Sequence, residues 1–589
     1  MKILFFSPHA YITDHSIPES IVVEALKKRG HDIITVNCNG VLSRYCISMS
    51  AAGLTPQDSG AKKESVCEIC RKRRDVILDE FGFSSIMLDA YINHEEELSI
   101  QNILISVSRE NYIELTLMGI PVGRYALFEF LLTKKLNSFS LNNADWEDYK
   151  IYLYNALKTT YAGSRILETI RPDAMAAYNT LYSVNHIFCA LAERRGIPIY
   201  SLEGGPNLKH RLSHMTIFKG YGVNMFVSRS KPWKEFSRKP ISPRQVRAVI
   251  EHIEVLLKAT SPFVYSITSK RENPESLREF FGIDKDKSVL LATMSSADEL
   301  FAASAIDILP EFPEPMFPTH IDWINALIEF VRKRSDLFLI IRVHPREFPN
   351  KREGVLSMRA IELQKLFVNL PGNVRVNWPQ DQLSIHDLIK ITDVGLNATS
   401  TVGLELGMFG TPVVVYDADQ LLAYPSDINY VASNPDDYYQ KIDIAIKEGW
   451  SFENVRKTFR WLSYKFERMS IDISDGFIED PEQPSLFHKI YYRLLKRVAK
   501  IGYFENALLI WQLRKRSIPV KNSELLSIAI ERNLESHMDI AHFNQDAQCT
   551  KEEEKSAICN QLRKLFQAVL LDEDHPNEFT NKINRVLSD

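Results

Sequence analysis

Residues 391–417, Ile-Thr-Asp-Val-Gly-Leu-Asn-Ala-Thr-Ser-Thr-Val-Gly-Leu-Glu-Leu-Gly-Met-Phe-Gly-Thr-Pro-Val-Val-Val-Tyr-Asp, contain the pattern that decides the fold of this chain. A short apolar stretch leads into a small polar turn. An apolar helical stretch follows, stops at a glycine and gives way to a second apolar stretch. This order predicts strand, turn, helix and strand, which is the repeating unit of a parallel sheet covered by helices.

The turn of this unit is suited to a phosphate, because the backbone N–H groups at a helix start and the helix dipole both favour an anion. Glu405 lies four residues after Thr401, so the two share one face of the predicted helix. A carboxylate there can accept hydrogen bonds from ribose hydroxyls. The pattern therefore predicts a nucleotide site, with Glu405 and the turn residues Asn397, Thr399, Ser400 and Thr401.

The same alternation recurs on both sides of this unit. Near the N-terminus, residues 2–6 and 32–36 read as strands joined by a helix, and another such unit ends with a strand at 197–202. A second series begins at residue 288, after a charged, proline-punctuated linker. Two series predict an α/β protein with two Rossmann-like domains facing each other. The predicted parts are an acceptor domain with its cysteine-containing insert and linker (1–270), a nucleotide-sugar domain (271–475) and a helical C-terminal extension (476–589).

Length and charge narrow the class of protein. A chain of 589 residues needs several domains, and its net charge of −4 gives no global reason to expect nucleic acid as a partner. We find no apolar run near the ~18 residues of a membrane span and no signal-peptide core. These features predict a cytoplasmic protein. The basic stretch 487–516 has apolar residues at helical spacing, which predicts either a packed helix or peripheral contact with anionic lipid at the inner face of the membrane.

Four cysteines lie close together in the first domain. Their spacing, C-x7-C-x20-C-x2-C, contains one tight CxxC pair of the kind that binds zinc, although the first pair is wider than usual. The alternative is free thiols in an irregular insertion, which we predict over residues 38–80. Zinc, if bound, is structural and is held by Cys38, Cys46, Cys67 and Cys70.

In open parallel sheets, ligands bind beyond the carboxyl ends of the strands. Polar clusters follow four predicted strands, and three of them belong to the second domain. That domain is therefore expected to hold the nucleotide, and the first to hold the acceptor and the catalytic base. The clusters are Glu203 with Gly204 and Gly205; Thr293 with Ser295 and Ser296; Arg342 with His344; and the turn 397–401 with Glu405.

Two of these residues are the candidate catalytic groups. His344 follows a buried strand and precedes a proline, so it can donate a hydrogen bond to a leaving phosphate, with Arg342 nearby. Glu203 precedes two glycines, which suggests backbone close to a ligand, and a carboxylate there can take a proton from an acceptor hydroxyl. The alternatives are a strand-capping histidine and an ordinary turn carboxylate. Rival bases are Asp298, Glu299, Asp14, His9 and His15.

One further motif points elsewhere. Asp417-Ala-Asp419 matches the Asp-x-Asp signature with which metal-dependent sugar transferases hold a divalent cation. Here it follows the last strand of a Rossmann-like series that already provides a phosphate turn. We interpret it as a loop beside the donor, and expect no catalytic metal.

Three of these segments together resemble the C-terminal half of GT-B glycosyltransferases. They are Arg342-Val-His-Pro345, Thr399-Ser-Thr-Val-Gly-Leu-Glu405 and Gly410-Thr-Pro-Val413. The pattern is similar to that of bacterial capsular-polysaccharide synthesis proteins, including Kdo transferases, and bacterial sialyltransferases share its His-Pro and Ser/Thr pairing. The resemblance covers residues 285–420. It implies that His344, Thr399 and Ser400 contact the phosphate of a CMP-activated sugar. The N-terminal half resembles these proteins only in its strand–helix order.

The expected function is that of an inverting, metal-independent glycosyltransferase, whose partners are a nucleotide-sugar and a glycan or lipid-linked glycan acceptor in surface-polysaccharide synthesis. Three alternatives remain open. The same fold serves non-hydrolysing sugar-nucleotide epimerases, polyol-phosphate transferases also carry His-Pro, and a non-catalytic partner in polysaccharide assembly would use the basic C-terminal stretch for docking.

Overall fold

A computed structural model describes residues 1–222, 233–261, 264–268, 273–309, 314–350, 354–398, 400–416, 424–449, 451–476, 486, 490, 521–540 and 549–569. Two sheets, each dominated by parallel strands, are covered by helices. The predicted α/β class with two Rossmann-like units is confirmed.

The first sheet has seven strands in the order β13-β6-β5-β4-β1-β2-β3. Its central pairs are parallel, with Phe6 of β1 opposite Val36 and Ala177 on its two neighbours. At one end of the sheet, β6 pairs antiparallel with both of its neighbours, β5 and the edge strand β13. The strands are β1 (Lys2–Phe6), β2 (Asp32–Asn37), β3 (Ser84–Met87), β4 (Ala174–Tyr178), β5 (Ile199–Gly204), β6 (His214–Lys219) and β13 (Ile471–Asp472).

The helices around this sheet are α1 (Thr13–Lys28), α2 (Ile47–Ala51), α3 (Gly60–Phe81), α4 (His94–Ser106), α5 (Val122–Tyr125), α6 (Leu127–Lys134), α7 (Asn143–Ile170) and α8 (Ser183–Glu193). The prediction of an irregular insertion over 38–80 is wrong, because the 22-residue helix α3 fills the segment from residue 60 onward. Only four α3 residues are buried, namely Val66, Cys67, Ile77 and Phe81. A helix with so small an apolar face lacks the periodicity by which helices are recognised in sequence.

The second sheet has six strands in the order β12-β11-β10-β7-β8-β9, and every adjacent pair is parallel. The strands are β7 (Ser288–Thr293), β8 (Leu337–Arg342), β9 (Val374–Asn377), β10 (Val394–Asn397), β11 (Val413–Val415) and β12 (Tyr430–Val431). Helices of this half and of the C-terminal part span Trp233–Phe236, Pro243–Leu257, Pro274–Phe281, Ala297–Ala305, His320–Arg332, Met358–Leu366, Ile385–Leu388, Val402–Met408, Pro435–Glu448, Phe452–Ser463, Lys521–Glu531 and Lys551–Val569.

The strands of this sheet are apolar on both faces because helices cover both. Successive residues of β7 enter different cores: Val289 and Leu291 pack on one side, Leu290 and Ala292 on the other. All six residues of β8 are buried. The polar residues are thus confined to the strand ends, where a ligand can reach them.

The chain returns to the first domain after completing the second. Strand β13 pairs with β6, and the helix Lys521–Glu531 packs on α1, where Glu531 forms an ion pair with Arg29. The helix Lys551–Val569 then packs on the helix Pro243–Leu257. The first sheet therefore contains residues 471–472, which precede the predicted end of the second domain at 475.

Candidate functional site

A row of polar side chains crosses the carboxyl edge of the second sheet. In strand register, Asn397 lies opposite Thr293, Thr293 opposite Arg342, and Arg342 opposite Asn377. The Thr293 hydroxyl donates to the Asn397 side-chain oxygen over 2.9 Å, and Arg342 donates to the Asn377 side-chain oxygen. Four adjacent strands therefore end in a row of polar side chains that form two hydrogen-bonded pairs. Three of the four, Thr293, Arg342 and Asn397, are among the residues predicted for the nucleotide site.

The side chain of Asn397 stabilises the turn after β10. Its amide donates to the Ser400 carbonyl and to the Tyr424 hydroxyl, over 2.8 Å each. Ser400 is buried, and its hydroxyl accepts from the backbone N–H of Val402 at 3.3 Å. Thr401 is exposed, whereas Thr399 lies outside the described residues. The helix that follows has seven residues, so its dipole is weak, and the hydrogen-bonded turn is the more substantial feature.

Tyr424 belongs to this site although no motif pointed to it. A Cβ added to Gly403 would come within 1.8 Å of the Tyr424 hydroxyl, so glycine is required for the tyrosine to reach Asn397. Burial raises the pKa of Tyr424 to about 12, which keeps it a neutral hydroxyl. In the Gly-x-Glu part of the motif, the glycine is therefore required by its packing against Tyr424.

Arg342 is buried and largely engaged within the protein. Besides Asn377, its guanidinium donates to the Leu383 carbonyl oxygen at 3.2 Å. Burial lowers the pKa of Arg342 to about 10, while Glu405, Asp387 and Asp381 favour its charged form. The geometry favours a residue that organises the strand ends and contributes positive potential rather than a freely exposed phosphate ligand.

His344 lies beyond the end of β8, half-buried, and caps the short 3-10 turn Pro345–Glu347. Its Nδ1 accepts from the backbone N–H of Arg346 at 3.3 Å, which places the ring proton on Nε2. Burial, reinforced by Arg346, lowers the pKa of His344 to about 4, so the imidazole is neutral. A neutral ring with an N–H at Nε2 is a hydrogen-bond donor of the kind predicted for the leaving phosphate.

The loop that carries His344 is tied to the loop after β7. Arg346 forms a buried ion pair with Asp298 at 2.9 Å, and the Glu347 carboxylate accepts from the backbone N–H of Ala297 at 3.1 Å. Asp298 is thereby committed to a cation, which disfavours it as a catalytic base. Ser296 is buried and donates to Glu299 at 2.6 Å, with half-buried Ser295 beside it.

Glu405 points toward a histidine that the motifs did not indicate. Its carboxylate lies 2.9 Å from Nε2 of His386, which is 1% exposed, and the Glu405 side chain is 13% exposed. A carboxylate has acceptor positions to spare beyond one imidazole. Glu405 in this position can still accept hydrogen bonds from ribose hydroxyls, as predicted.

In the first domain, Glu203 lies half-buried at the end of β5. The two glycines after it serve packing rather than ligand approach. A Cβ on Gly204 would lie 2.7 Å from the Tyr178 hydroxyl, and one on Gly205 would lie 2.5 Å from Cβ of His214. The glycine signal that drew attention to Glu203 therefore has a structural cause.

A second polar cluster lies at the carboxyl end of β1. His9, His15 and Glu19 line one cavity together with Tyr178 at the end of β4. Burial raises the pKa of Glu19 to about 8 and lowers that of His9 to about 3. His15 stacks on Tyr178 with ring centroids 4.4 Å apart, and Asp14 is exposed.

Cys38, Cys46, Cys67 and Cys70 line a common cavity beside Arg71 and Arg74. Within the described ranges, however, no group of three or more histidine, cysteine, aspartate or glutamate side chains is arranged to hold a metal ion. The structural zinc held by Cys38, Cys46, Cys67 and Cys70 therefore stays a prediction. Burial raises the pKa of each thiol, that of Cys38 to about 12 and that of Cys67 to about 11. The thiols are thus protonated and belong to the packing of α2 and α3.

Two sequence features fall outside the described residues: Asp417 and Asp419 of the Asp-x-Asp motif, and almost all of the basic stretch 487–516. In the part of the chain that the structure describes, no helix is both long enough and apolar enough to cross a membrane.

The two domains meet through α6. This helix packs on the helix Ala297–Ala305, which follows the carboxyl end of β7. Its Glu129 carboxylate accepts from the backbone N–H of Ser183, the first residue of α8 after β4, at 2.8 Å. One helix therefore contacts elements that follow the carboxyl ends of strands in both sheets.

No protein-family model matches this chain, and no curated protein matches it. Solved structures with a similar fold include the calicheamicin glycosyltransferase CalG4, at 14% identity over 79% of this chain and 94% of that one, with a TM-score of 0.25. The UDP-GlcNAc 2-epimerase from Neisseria meningitidis matches at 13% identity over 79% and 99%, with a TM-score of 0.23. The β-Kdo 2,4 transferase KpsC from Thermosulfurimonas dismutans matches at 12% identity over 55% and 87%, with a TM-score of 0.31. Such low scores give no evidence about function, which has to be inferred from the residues.

Proposed function

We propose that this protein is an inverting GT-B glycosyltransferase that moves a sugar from a nucleotide-sugar to a surface polysaccharide or related glycan. The observation that carries the proposal is the neutral His344, whose Nε2–H is available as a donor beside the polar row at the carboxyl edge of the second sheet. The resemblance of the His-Pro and Thr-Ser-x-x-Gly-x-Glu motifs favours a CMP-activated donor.

The donor half of the proposed site combines the hydrogen-bonded turn after β10 with fixed hydrogen-bond donors. Ser400 and Thr401 would contact the phosphate with the N–H groups of their turn, and Glu405 would accept from the ribose. Buried Arg342 and Arg346 flank His344 and add positive potential at short range. Hydrogen-bond donors that are held in place before the reaction stabilise a leaving phosphate without reorganisation.

In the proposed reaction, the oxygen of an acceptor hydroxyl attacks the anomeric carbon of the donor sugar. The bond from that carbon to the phosphate oxygen breaks, and configuration inverts. The hydroxyl proton passes to a carboxylate, for which we propose Glu203 at the end of β5. The released nucleotide phosphate takes up the electron pair, and His344 donates a hydrogen bond to it.

Donor consumption tests the proposal. Purified protein is incubated with a panel of CMP-, UDP-, GDP- and TDP-sugars, with and without a glycan acceptor, and free nucleotide is measured. A transferase releases nucleotide only when acceptor is present. Interconversion of the sugar without acceptor would support an epimerase instead. Transfer of a polyol phosphate would support a polyol-phosphate transferase. If no donor is consumed, the proposal is overturned in favour of a non-catalytic partner.

Two variants locate the donor site. His344→Ala and Ser400→Ala should each weaken nucleotide binding about ten- to hundredfold, as expected for loss of a hydrogen bond to a charged group worth about 1.5–3 kcal/mol. Thermal shift with the nucleotide measures this, since a ligand that binds only the folded state raises its melting temperature. His94→Ala, at the exposed start of α4, is the control. Unchanged affinity in both site variants would place the nucleotide elsewhere.

The proposed mechanism uses no divalent cation at the donor. Turnover should therefore persist in excess EDTA, and Asp417→Asn should retain activity. Loss of turnover in EDTA, restoration by Mg²⁺ or Mn²⁺, and failure of that restoration in Asp417→Asn would instead identify the Asp-x-Asp motif as a metal site.

A further inference from the structure

The cavity beside His9 has the features of a binding site for neutral hydroxyl groups. It lies at the carboxyl ends of three neighbouring strands of the first sheet, and its lining includes Phe6 of β1, Asn37 of β2 and Tyr178 of β4. Ligands of open parallel sheets bind at this edge. The cavity is thus placed where a substrate is expected, in a domain for which motif resemblance indicated no site.

Buried polar atoms without hydrogen-bond partners converge on this cavity. Both ring nitrogens of His9, the hydroxyl of Ser16 and the side-chain oxygen of Asn185 are buried and unpaired, and all three residues line it. His9 is 8% exposed and also lines a second cavity, into which the unpaired side-chain oxygen of Asn155 faces. A buried polar atom left unpaired is destabilising, so a concentration of them calls for a ligand or ordered water.

The electrostatic character of the lining selects the class of ligand. Arg74 lines the cavity, but its guanidinium is already engaged by Asn39 and by an ion pair with Asp75 at 2.7 Å. Glu19 accepts a hydrogen bond from Ser7, and its burial favours the uncharged carboxyl. The unpaired atoms are one neutral imidazole, one hydroxyl and one amide oxygen. Such a set offers both donors and acceptors without net charge, which suits alcohols rather than phosphates.

The size of the cavity limits the part of a ligand that enters it. Its volume of about 40 Å³ is a few times the roughly 10–15 Å³ that one water needs. The cavity therefore has room for a small polar group such as a hydroxymethyl arm.

We propose that the cavity lined by His9, Ser16 and Asn185 binds the hydroxymethyl arm of a saccharide. In this arrangement the hydroxyl of the arm donates to one ring nitrogen of His9 or to the Asn185 oxygen, and accepts from Ser16 or from the other ring nitrogen. If the proposed transferase function holds, this saccharide is the acceptor, and His9 is a residue that positions it.

Stability and binding should move in opposite directions when the unpaired atoms are removed. His9→Phe retains a ring against Tyr182, whose centroid lies 6.0 Å away, and Ser16→Ala removes one unpaired hydroxyl. Both variants should keep or raise the melting temperature, because a buried unpaired polar group is lost. The matched control is Ser20→Ala: Ser20 lines the same cavity, but its hydroxyl donates to the Ser16 carbonyl at 2.6 Å, so its loss should lower the melting temperature.

Binding is measured on the full chain by saturation-transfer NMR, with methyl hexosides as probes and their 6-deoxy counterparts as controls. We expect the methyl hexosides to bind, the 6-deoxy sugars to bind at least about tenfold more weakly, and His9→Phe and Ser16→Ala to lose a similar factor. Ser20→Ala should bind as the parent does. Equal binding of the 6-deoxy sugars, equal binding by His9→Phe, or no hexoside binding at all would overturn the proposal and leave a cavity that holds water only.

Nucleotide binding separates this inference from the proposed function. The thermal shift given by the donor nucleotide should be the same in His9→Phe as in the parent, because the donor site lies in the second domain. Hexoside binding without any nucleotide binding would sustain the cavity proposal and defeat the transferase proposal. If the donor is turned over and His9→Phe leaves the KM for the acceptor unchanged, the transferase proposal is sustained and the cavity proposal is defeated.

Discussion

The ammonium group of Lys135, in the first domain, lies 3.1 Å from the backbone carbonyl oxygen of Phe348 in the second. Lys135 ends α6 in a left-handed conformation, is 1% exposed, and also donates to the Val355 carbonyl at 2.7 Å. In the opposite direction, Arg346 of the second domain donates to the Leu132 carbonyl of the first at 2.9 Å. The turn that carries His344 is therefore held by both domains.

Removing the Lys135 ammonium should loosen that turn. Lys135→Met leaves two carbonyls of the second domain without this donor, which costs about 1–3 kcal/mol for each group that stays unpaired. We expect a lower melting temperature and a donor-nucleotide affinity reduced by about tenfold.

Lys134→Met is the control for this variant. Lys134 is the preceding residue and forms an ion pair with Asp148 within its own domain, with side chains 22% and 7% exposed. Breaking a largely buried pair lowers stability, but both partners belong to the first domain, so nucleotide affinity should not change. Equal losses in Lys134→Met and Lys135→Met, by isothermal titration, would mean that the contact between domains does not position His344.

Gly403→Ala should behave contrary to the usual rule for helices. Replacing a helical glycine by alanine normally stabilises by roughly 0.5–1 kcal/mol. At Gly403, however, the new methyl group meets the Tyr424 hydroxyl, so Tyr424 must leave Asn397 and the turn after β10 loses its support. We expect lower thermal stability and weaker nucleotide binding.

Gly60→Ala tests the rule itself, since Gly60 is the first residue of α3 and an added Cβ meets nothing within 4 Å. Thermal melts of the two variants should shift in opposite directions. A stabilised Gly403→Ala that binds nucleotide normally would show that Tyr424 has no part in the turn.

Glu554→Gln should be strongly destabilising. The Glu554 carboxylate is fully buried, faces the Arg460 guanidinium through two contacts of 2.7 and 2.6 Å, and accepts from the backbone N–H of Ile241 at 3.0 Å. Removing one partner of a buried pair typically costs about 3–5 kcal/mol. Urea-unfolding midpoints measure the effect, and exposed Glu552→Gln, two residues earlier on the same helix, should leave the midpoint unchanged.

The sequence was most informative where structure repeats. Strand–turn–helix units identified both sheets, and the strand-end rule located Thr293, Arg342 and Asn397, which the register joins into one row. Contacts between distant segments were not predictable. Tyr424, His386 and Lys135 reach the site from parts of the chain that carry no motif, and only tertiary packing brings them there.

Short sequence spacings do not identify the partner that a residue requires. The glycine pair Gly204-Gly205 predicts room for a ligand, but the space beside these glycines is taken by Tyr178 and His214. The CxxC spacing predicts a metal site, and that site stays a prediction. In the structure the spacing places Cys67 and Cys70 one turn apart on α3.

Stability should depend on pH through Glu19. Burial raises its pKa from 4.5 to about 8 in the folded protein, so between these values the folded chain keeps a proton that the unfolded chain releases. The contribution of Glu19 to the free energy of unfolding is therefore fully present below pH 4.5 and is lost as pH rises toward 8. The loss is on the order of a few kcal/mol. Glu19→Gln should flatten the fall in melting temperature between pH 5 and 8. An identical pH profile in parent and variant would show that Glu19 has an ordinary pKa.

The four clustered thiols should react slowly in the folded protein. Burial raises the pKa of Cys38 to about 12 and that of Cys67 to about 11, and alkylation requires the thiolate. Mass spectrometry after brief iodoacetamide treatment should find these cysteines unmodified until the protein is unfolded. Elemental analysis is the companion measurement: about one zinc per chain, lost in the Cys67→Ala/Cys70→Ala variant, would support the zinc hypothesis, and metal-free folded protein would end it.

The late return of the chain to the first sheet has a consequence for synthesis. A ribosome completes residues 1–222 long before it makes β13 and the helix that covers α1 with Glu531. Until then the outer edge of β6 lacks its partner strand, and an unpaired strand edge invites association with other chains. The first domain emerges first, but its sheet is completed only after the second domain has been translated.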